Sequence, residues 1–82
     1  MMFYVYILYA KKHDQYYIGQ TANIKDRLRR HNAGYEKATA RYLPWELFWQ
    51  TTKNSRKEAM TLERKLKNLS RKRLTEFVAK YS

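Results

Sequence analysis

Arg27 and His31 stand four residues apart in the segment Ile24-Lys25-Asp26-Arg27-Leu28-Arg29-Arg30-His31-Asn32. On a helix this spacing puts both side chains on one face, beside the stripe made by Ile24 and Leu28 and along the margin of the core. A planar guanidinium there can hold two non-bridging phosphate oxygens while charge develops on phosphorus. An imidazole beside it can donate to phosphate or shuttle a proton. Both residues also have plainer uses: Arg27 as one more charge in a run with Arg29 and Arg30, His31 packed against Tyr6 or capping the helix end. His13, in a turn between two lysines and Asp14, reads as surface.

Glu63 is the third candidate, because a carboxylate beside the apolar helix stripe Ala59, Leu62, Leu66, Leu69 needs a reason to be there. Its plain reading is an ion pair with Lys67 one turn on, of the kind worth about 0.2–0.5 kcal/mol. Its functional reading is a ligand for Mg²⁺ or Mn²⁺, since Mg²⁺ commonly binds through one or two carboxylates, with substrate phosphate and water completing the shell. Tyr6 and Tyr17 lie in strand-like runs, where tyrosine is ordinarily a core residue with a satisfied hydroxyl. A phenol with a pKa of about 10 is a poor base at neutral pH unless neighbouring cations or a metal-bound water favour the phenolate.

The elements that would position these groups can be read from periodicity and breakers. Phe3-Tyr4-Val5-Tyr6-Ile7-Leu8-Tyr9 is β-branched and aromatic throughout, a strand buried on at least part of both faces. After Lys11-Lys12-His13-Asp14 the strand signal resumes at Gln15-Tyr16-Tyr17-Ile18-Gly19, giving an antiparallel hairpin. Asn23 caps the first helix, with Asp26 in its first turn and Gly34 at its end. Residues 34–44 form a polar connection ending at Pro44, and Trp45 to Thr51 alternates as a third strand. Asn54 or Ser55 caps a second helix; Ser70 caps a last one carrying Leu74, Phe77, Val78 and Tyr81 at helical spacing. The expected fold is α+β, a small three-stranded antiparallel sheet flanked by helices in the order ββαβαα. One domain over residues 1–82 is expected, with every element sharing one core.

The 82 residues carry 18 Lys+Arg against 7 Asp+Glu, a formal charge of +11 that a polyanion would feel. A solubilising surface is the plainer explanation. The excess is concentrated: residues 53–82 hold ten of the 18 basic residues, with only Glu58, Glu63 and Glu76 among the acids. Aromatics make up 16% of the chain, enough to serve both core volume and stacking surfaces for bases. Cysteine is absent and there are two histidines, which leaves neither a disulfide framework nor a zinc site of ordinary composition. No apolar stretch has the length of a membrane span or a secretory signal, and the expectation is a cytoplasmic protein without membrane contact.

Tyr4-Val5-Tyr6 and Tyr17-Ile18-Gly19, with ten residues between the two motifs, resemble the paired strands of the GIY-YIG nuclease family. Gly19-Gln20-Thr21 leading to Arg27-x3-His31 is similar to that family's helix motif, and Ala59-x3-Glu63 with Lys67 to its metal-binding helix. The resemblance spans about residues 3–70 and is nearest to the small stand-alone bacterial members. It implies a metal-dependent endonuclease acting on phosphodiesters, DNA more than RNA, in repair or processing. Tyr6, Tyr17, Arg27, His31 and Glu63 would be catalytic, with Tyr6 or Tyr17 as general base or water-positioning group. Glu63 would hold one Mg²⁺ or Mn²⁺, and Arg30, Thr39 and Lys67 would contact nucleic acid.

Two departures bear on this. Tyr4 stands where the family motif has Gly, and the late Asn of many members is missing: Arg73-Leu74-Thr75-Glu76-Phe77 occupies its neighbourhood, while Asn68 comes early. The missing Asn motivates an alternative, a non-catalytic nucleic-acid-binding module that keeps the fold. A monomer is expected, and delivery to a larger repair complex is a third possibility.

Overall fold

The computed structural model describes residues 2–81. Its elements are β1 (Phe3–Ala10), β2 (Gln15–Thr21), α1 (Ile24–Asn32), α2 (Lys37–Ala40), β3 (Glu46–Lys53), α3 (Arg56–Lys67) and α4 (Arg71–Tyr81). The sheet order is β2-β1-β3, antiparallel throughout. This is the expected α+β arrangement with one addition, the single helical turn α2 within the polar connection.

The central strand explains the layering. Its residues alternate between faces, and Val5 through Leu8 are all buried. Val5 and Ile7 pack with Ala59 and Leu66 of α3 and Leu74 and Val78 of α4. Tyr6, Leu8 and Ala10 point the other way and pack with Trp45, Tyr17, Ile24 and Leu28. The expectation of one shared core is therefore corrected: a strand apolar on both faces divides the interior into two clusters, one on each side of the sheet.

Local signals set most boundaries. The hairpin between β1 and β2 closes through His13 N to Ala10 O and Asp14 N to Lys11 O, with Asp14 at φ 53°, a left-handed conformation that Asp tolerates. The Asp26 amide donates to Asn23 Oδ1 at 3.0 Å at the start of α1, and the Glu58 amide to Ser55 Oγ at 3.1 Å at the start of α3. At the start of α4 the Arg73 amide donates to Ser70 Oγ. The third strand begins one residue later than expected and runs two further. Ile7 pairs with Trp49 and Leu8 with Leu47, so Phe48 is the extra residue of a bulge. Its ring lies against Tyr9 and Tyr16.

Trp45 sits just outside β3 and ties it to the preceding helices. Its amide donates to Asn32 Oδ1 at 2.7 Å, its carbonyl accepts from Asn32 Nδ2 at 3.0 Å, and its indole N–H donates to Thr39 O at 2.9 Å. These bonds hold α2 against the end of α1, with a consequence for His31.

Candidate active site

The Tyr6 ring lies over Gly19, its partner across the β1–β2 ladder. A Cβ on Gly19 would meet Tyr6 Oη at 2.6 Å and Tyr6 Cζ at 2.8 Å, so glycine there is a condition of the tyrosine's position. From that position Tyr6 Oη reaches His31 Nε2 at 3.2 Å. The His31 ring is fully buried, and Tyr17 lies against it with ring centroids 4.8 Å apart. Tyr6, Tyr17 and His31 thus converge from β1, β2 and the last turn of α1.

Both ring nitrogens of His31 have a hydroxyl partner: Thr39 Oγ1 lies 2.9 Å from Nδ1 and Tyr6 Oη 3.2 Å from Nε2. Thr39 Oγ1 also lies 3.3 Å from Glu36 O. With the Thr39 proton directed to Glu36 O, its oxygen accepts from Nδ1–H and Nε2 accepts from the Tyr6 hydroxyl; with the Thr39 proton directed to Nδ1, Nε2–H donates to Tyr6. Burial lowers the His31 pKa and keeps the ring neutral, with Arg27 and Arg30 acting in the same direction and Glu36 against it. Burial, then Tyr17, pushes the Tyr6 phenol well above its ordinary value; Arg27 pulls it down, while Glu63 and Glu36 add to the rise. Free phenolate at Tyr6 is therefore disfavoured.

Arg27 is half-buried and, among the described residues, has no ion-pair partner, unlike Arg29 with Asp26 and Arg30 with Glu36. Glu63 approaches from α3, its side chain 18% exposed, with Oε1 2.9 Å from Lys67 Nζ. Gln20 Nε2 donates to Glu63 Oε2 at 3.3 Å, which leaves Gln20 Oε1 buried without a hydrogen-bond partner among the described residues. A surface cavity of about 310 Å³ opens here, lined by Met60, Glu63, Arg64, Lys67 and Asn68. The early Asn68 thus borders the same space as the candidate metal ligand.

Among the described residues no three His, Asp or Glu side chains gather as a metal cage. One carboxylate beside an orphaned amide oxygen still suits a hard, oxygen-seeking divalent ion that retains water and takes phosphate as further ligand. Thr39 departs from its expected place at a phosphate: it is 1% exposed and bonded to His31. Arg30 and Lys67 are exposed, each paired with a glutamate. Gly19 and Gln20 belong to the motifs, yet sequence reasoning assigns neither of them a role. A glycine inside a strand pattern is a signal of close approach; nothing local marks Gln20.

The sheet carries the two tyrosines, α1 the histidine and arginine and α3 the glutamate, and the comparisons with known proteins assign this fold to a nuclease-type domain. The family model described as the GIY-YIG catalytic domain matches residues 2–77, and the chain belongs to that family. It is 36% identical over 77 residues to a UPF0213 protein of Streptococcus pneumoniae serotype 4 (strain ATCC BAA-334 / TIGR4), covering 93% of this chain and 77% of that protein. The solution NMR structure of a UPF0213 protein from Bacillus halodurans superposes with a TM-score of 0.62 at 34% identity. That match covers 96% of this chain and 84% of the other. Among the described residues no helix is long and apolar enough to cross a membrane.

Proposed function

We propose that this chain is a divalent-metal-dependent endonuclease that hydrolyses nucleic-acid phosphodiesters, DNA in preference to RNA, in a repair or processing role. The observation that carries the reading is the convergence on Tyr6 Oη. His31 Nε2 lies 3.2 Å from it, and the opposite charges of Arg27 and Glu63 both act on it.

In the mechanism this supports, water attacks phosphorus in line with the departing oxygen. As water gives a proton to Tyr6 Oη, the Tyr6 proton passes to His31 Nε2, so Tyr6 stays neutral and the net base is the imidazole. This route avoids the phenolate that burial disfavours. Thr39 holds the tautomer that leaves Nε2 free, the role an orienting group plays for a catalytic histidine. Tyr17, half-buried against His31, covers the pair and orients the attacking water. Arg27 takes two phosphate oxygens and stabilises the transition-state charge. Glu63, with Gln20 beside it, would hold the cation, which supplies Lewis-acid polarisation of the phosphate and charge neutralisation at the leaving oxygen.

Lys67 on Glu63 Oε1 favours a second reading, a nucleic-acid-binding module in which a lysine stands permanently where the cation would. The two separate on one measurement: cleavage of branched, single-stranded and duplex DNA and RNA with Mg²⁺ or Mn²⁺, wild type against Arg27→Ala and Glu63→Ala. Loss of cleavage in both variants is the expected result. Cleavage that survives both removes the proposed site, and binding without cleavage by the wild type establishes the second reading.

A further inference from the structure

On the flank of α3 turned away from Glu63, three surface cavities of about 450, 330 and 320 Å³ run into one another between β3, α3 and α4. They are continuous because they share lining residues: Lys53 and Leu62 in the first two, Phe77 and Tyr81 in the second and third, Lys65 in the first and third. Their floor is aromatic. Trp49 and Phe77 meet edge to face with centroids 5.1 Å apart, and Phe77 and Tyr81 follow at 4.8 Å, with Tyr81 57% exposed. Their rim is cationic: Lys53, Lys57, Lys65, Arg73 and Lys80 line the walls against two carboxylates, Glu58 and Glu76.

We infer that this groove binds single-stranded nucleic acid, its bases laid on Trp49, Phe77 and Tyr81 and its phosphates along Lys53, Lys65 and Lys80. The exposed faces of such inclined rings accept any unpaired base, and a cationic rim follows the backbone without reading sequence. A paired duplex presents its bases inward and could not use the floor. Glu63 lies one helix width away, about 10 Å across α3. A substrate with a single-stranded extension would thus place the strand in the groove and its duplex junction at the candidate active site. This rests on the nuclease reading for its consequence, though not for the binding itself.

The test is fluorescence anisotropy of a labelled oligothymidylate in EDTA at stepped salt concentrations, where no cleavage intervenes. Wild type should bind, and Lys53→Glu/Lys65→Glu should weaken binding at least about tenfold and flatten the salt slope by about 0.7 for each phosphate no longer neutralised. The charge-matched variant Lys11→Glu/Lys12→Glu on the hairpin should weaken it less than about threefold; equal losses in the two double variants would mean that net charge alone attracts the strand, and overturn the site. Tryptophan emission should be quenched by the oligonucleotide through Trp49, since Trp45 is 3% exposed. Quenching that persists in Trp49→Phe overturns the aromatic floor. A wild-type dimer in sedimentation that the Lys53→Glu/Lys65→Glu variant dissociates would assign the groove to a second copy. Binding that persists in Glu63→Ala while cleavage is absent in every variant supports the groove and removes only the nuclease reading.

Discussion

The Tyr6 phenol occupies the space that any side chain at Gly19 would need, with 2.6 Å between its oxygen and an ideal Cβ. Tyr6 is itself 1% exposed, so it has no room to swing aside. In an ordinary strand, replacing glycine by alanine gains about 0.5–1 kcal/mol from backbone entropy. Here Gly19→Ala is expected to destabilise by about 1–3 kcal/mol, the cost of forcing atoms into a packed site. Urea denaturation gives the sign. Cleavage should fall as well, because the displaced phenol leaves His31 Nε2.

His31 should make stability depend on pH in one direction. Its folded pKa lies below the usual value of roughly 6.5, so near and below that pH the unfolded chain binds more protons than the folded one. Stability from this group is full above about pH 7 and is lost progressively as pH falls from roughly 6.5 through the lower folded pKa. His31→Gln should flatten that slope in denaturation midpoints measured from about pH 5 to 8. If His31 is the net base, the acid limb of the wild-type cleavage profile should also lie below about pH 6.5.

Thr39→Val keeps the volume of the side chain and removes the acceptor for His31 Nδ1–H. The cost of a buried unpaired donor is about 1–3 kcal/mol. The informative readout is the imidazole tautomer, followed by ¹⁵N chemical shifts: wild type and Thr39→Ser should hold hydrogen on Nδ1, and Thr39→Val should show a mixture. A single unchanged tautomer in Thr39→Val would remove Thr39 as the orienting group.

Lys67 and a cation compete for Glu63 Oε1. An exposed ion pair of this kind contributes about 0.2–1 kcal/mol, so Lys67→Met should tighten Mn²⁺ binding by up to about fivefold in calorimetric titration without nucleic acid. Glu63→Gln should abolish it. Weaker binding in Lys67→Met would show that the lysine supports the site instead of competing with the cation.

Arg27→Ala should lower cleavage about 10²–10³-fold, in the range found on removing one group that stabilises transition-state charge. Because Arg27 has no ion-pair partner among the described residues, the melting temperature of this variant should move little. Arg27→Lys should restore little activity, since an ammonium cannot make the two-oxygen contact. Full activity in Arg27→Lys would reduce the residue to a point charge.

The sequence alone determined what local physics encodes. Caps at Asn23, Ser55 and Ser70, the alternation of β1 and the helical spacing of Ala59, Leu62 and Leu66 all act within a few residues, and each is found where its pattern places it. The shared helix face of Arg27 and His31 was legible for the same reason. The tertiary structure alone decided that the two residues part company, His31 passing inside to Tyr6 and Thr39 while Arg27 stays at the margin. It also decided that Thr39 serves a histidine instead of a phosphate, that Gly19 makes room for a phenol, and that Gln20 meets Glu63. The Tyr6–His31 and Gln20–Glu63 bonds join residues 25 and 43 positions apart. No local propensity reaches across such separations; only the packing of α1 and α3 on opposite faces of β1 brings these groups together.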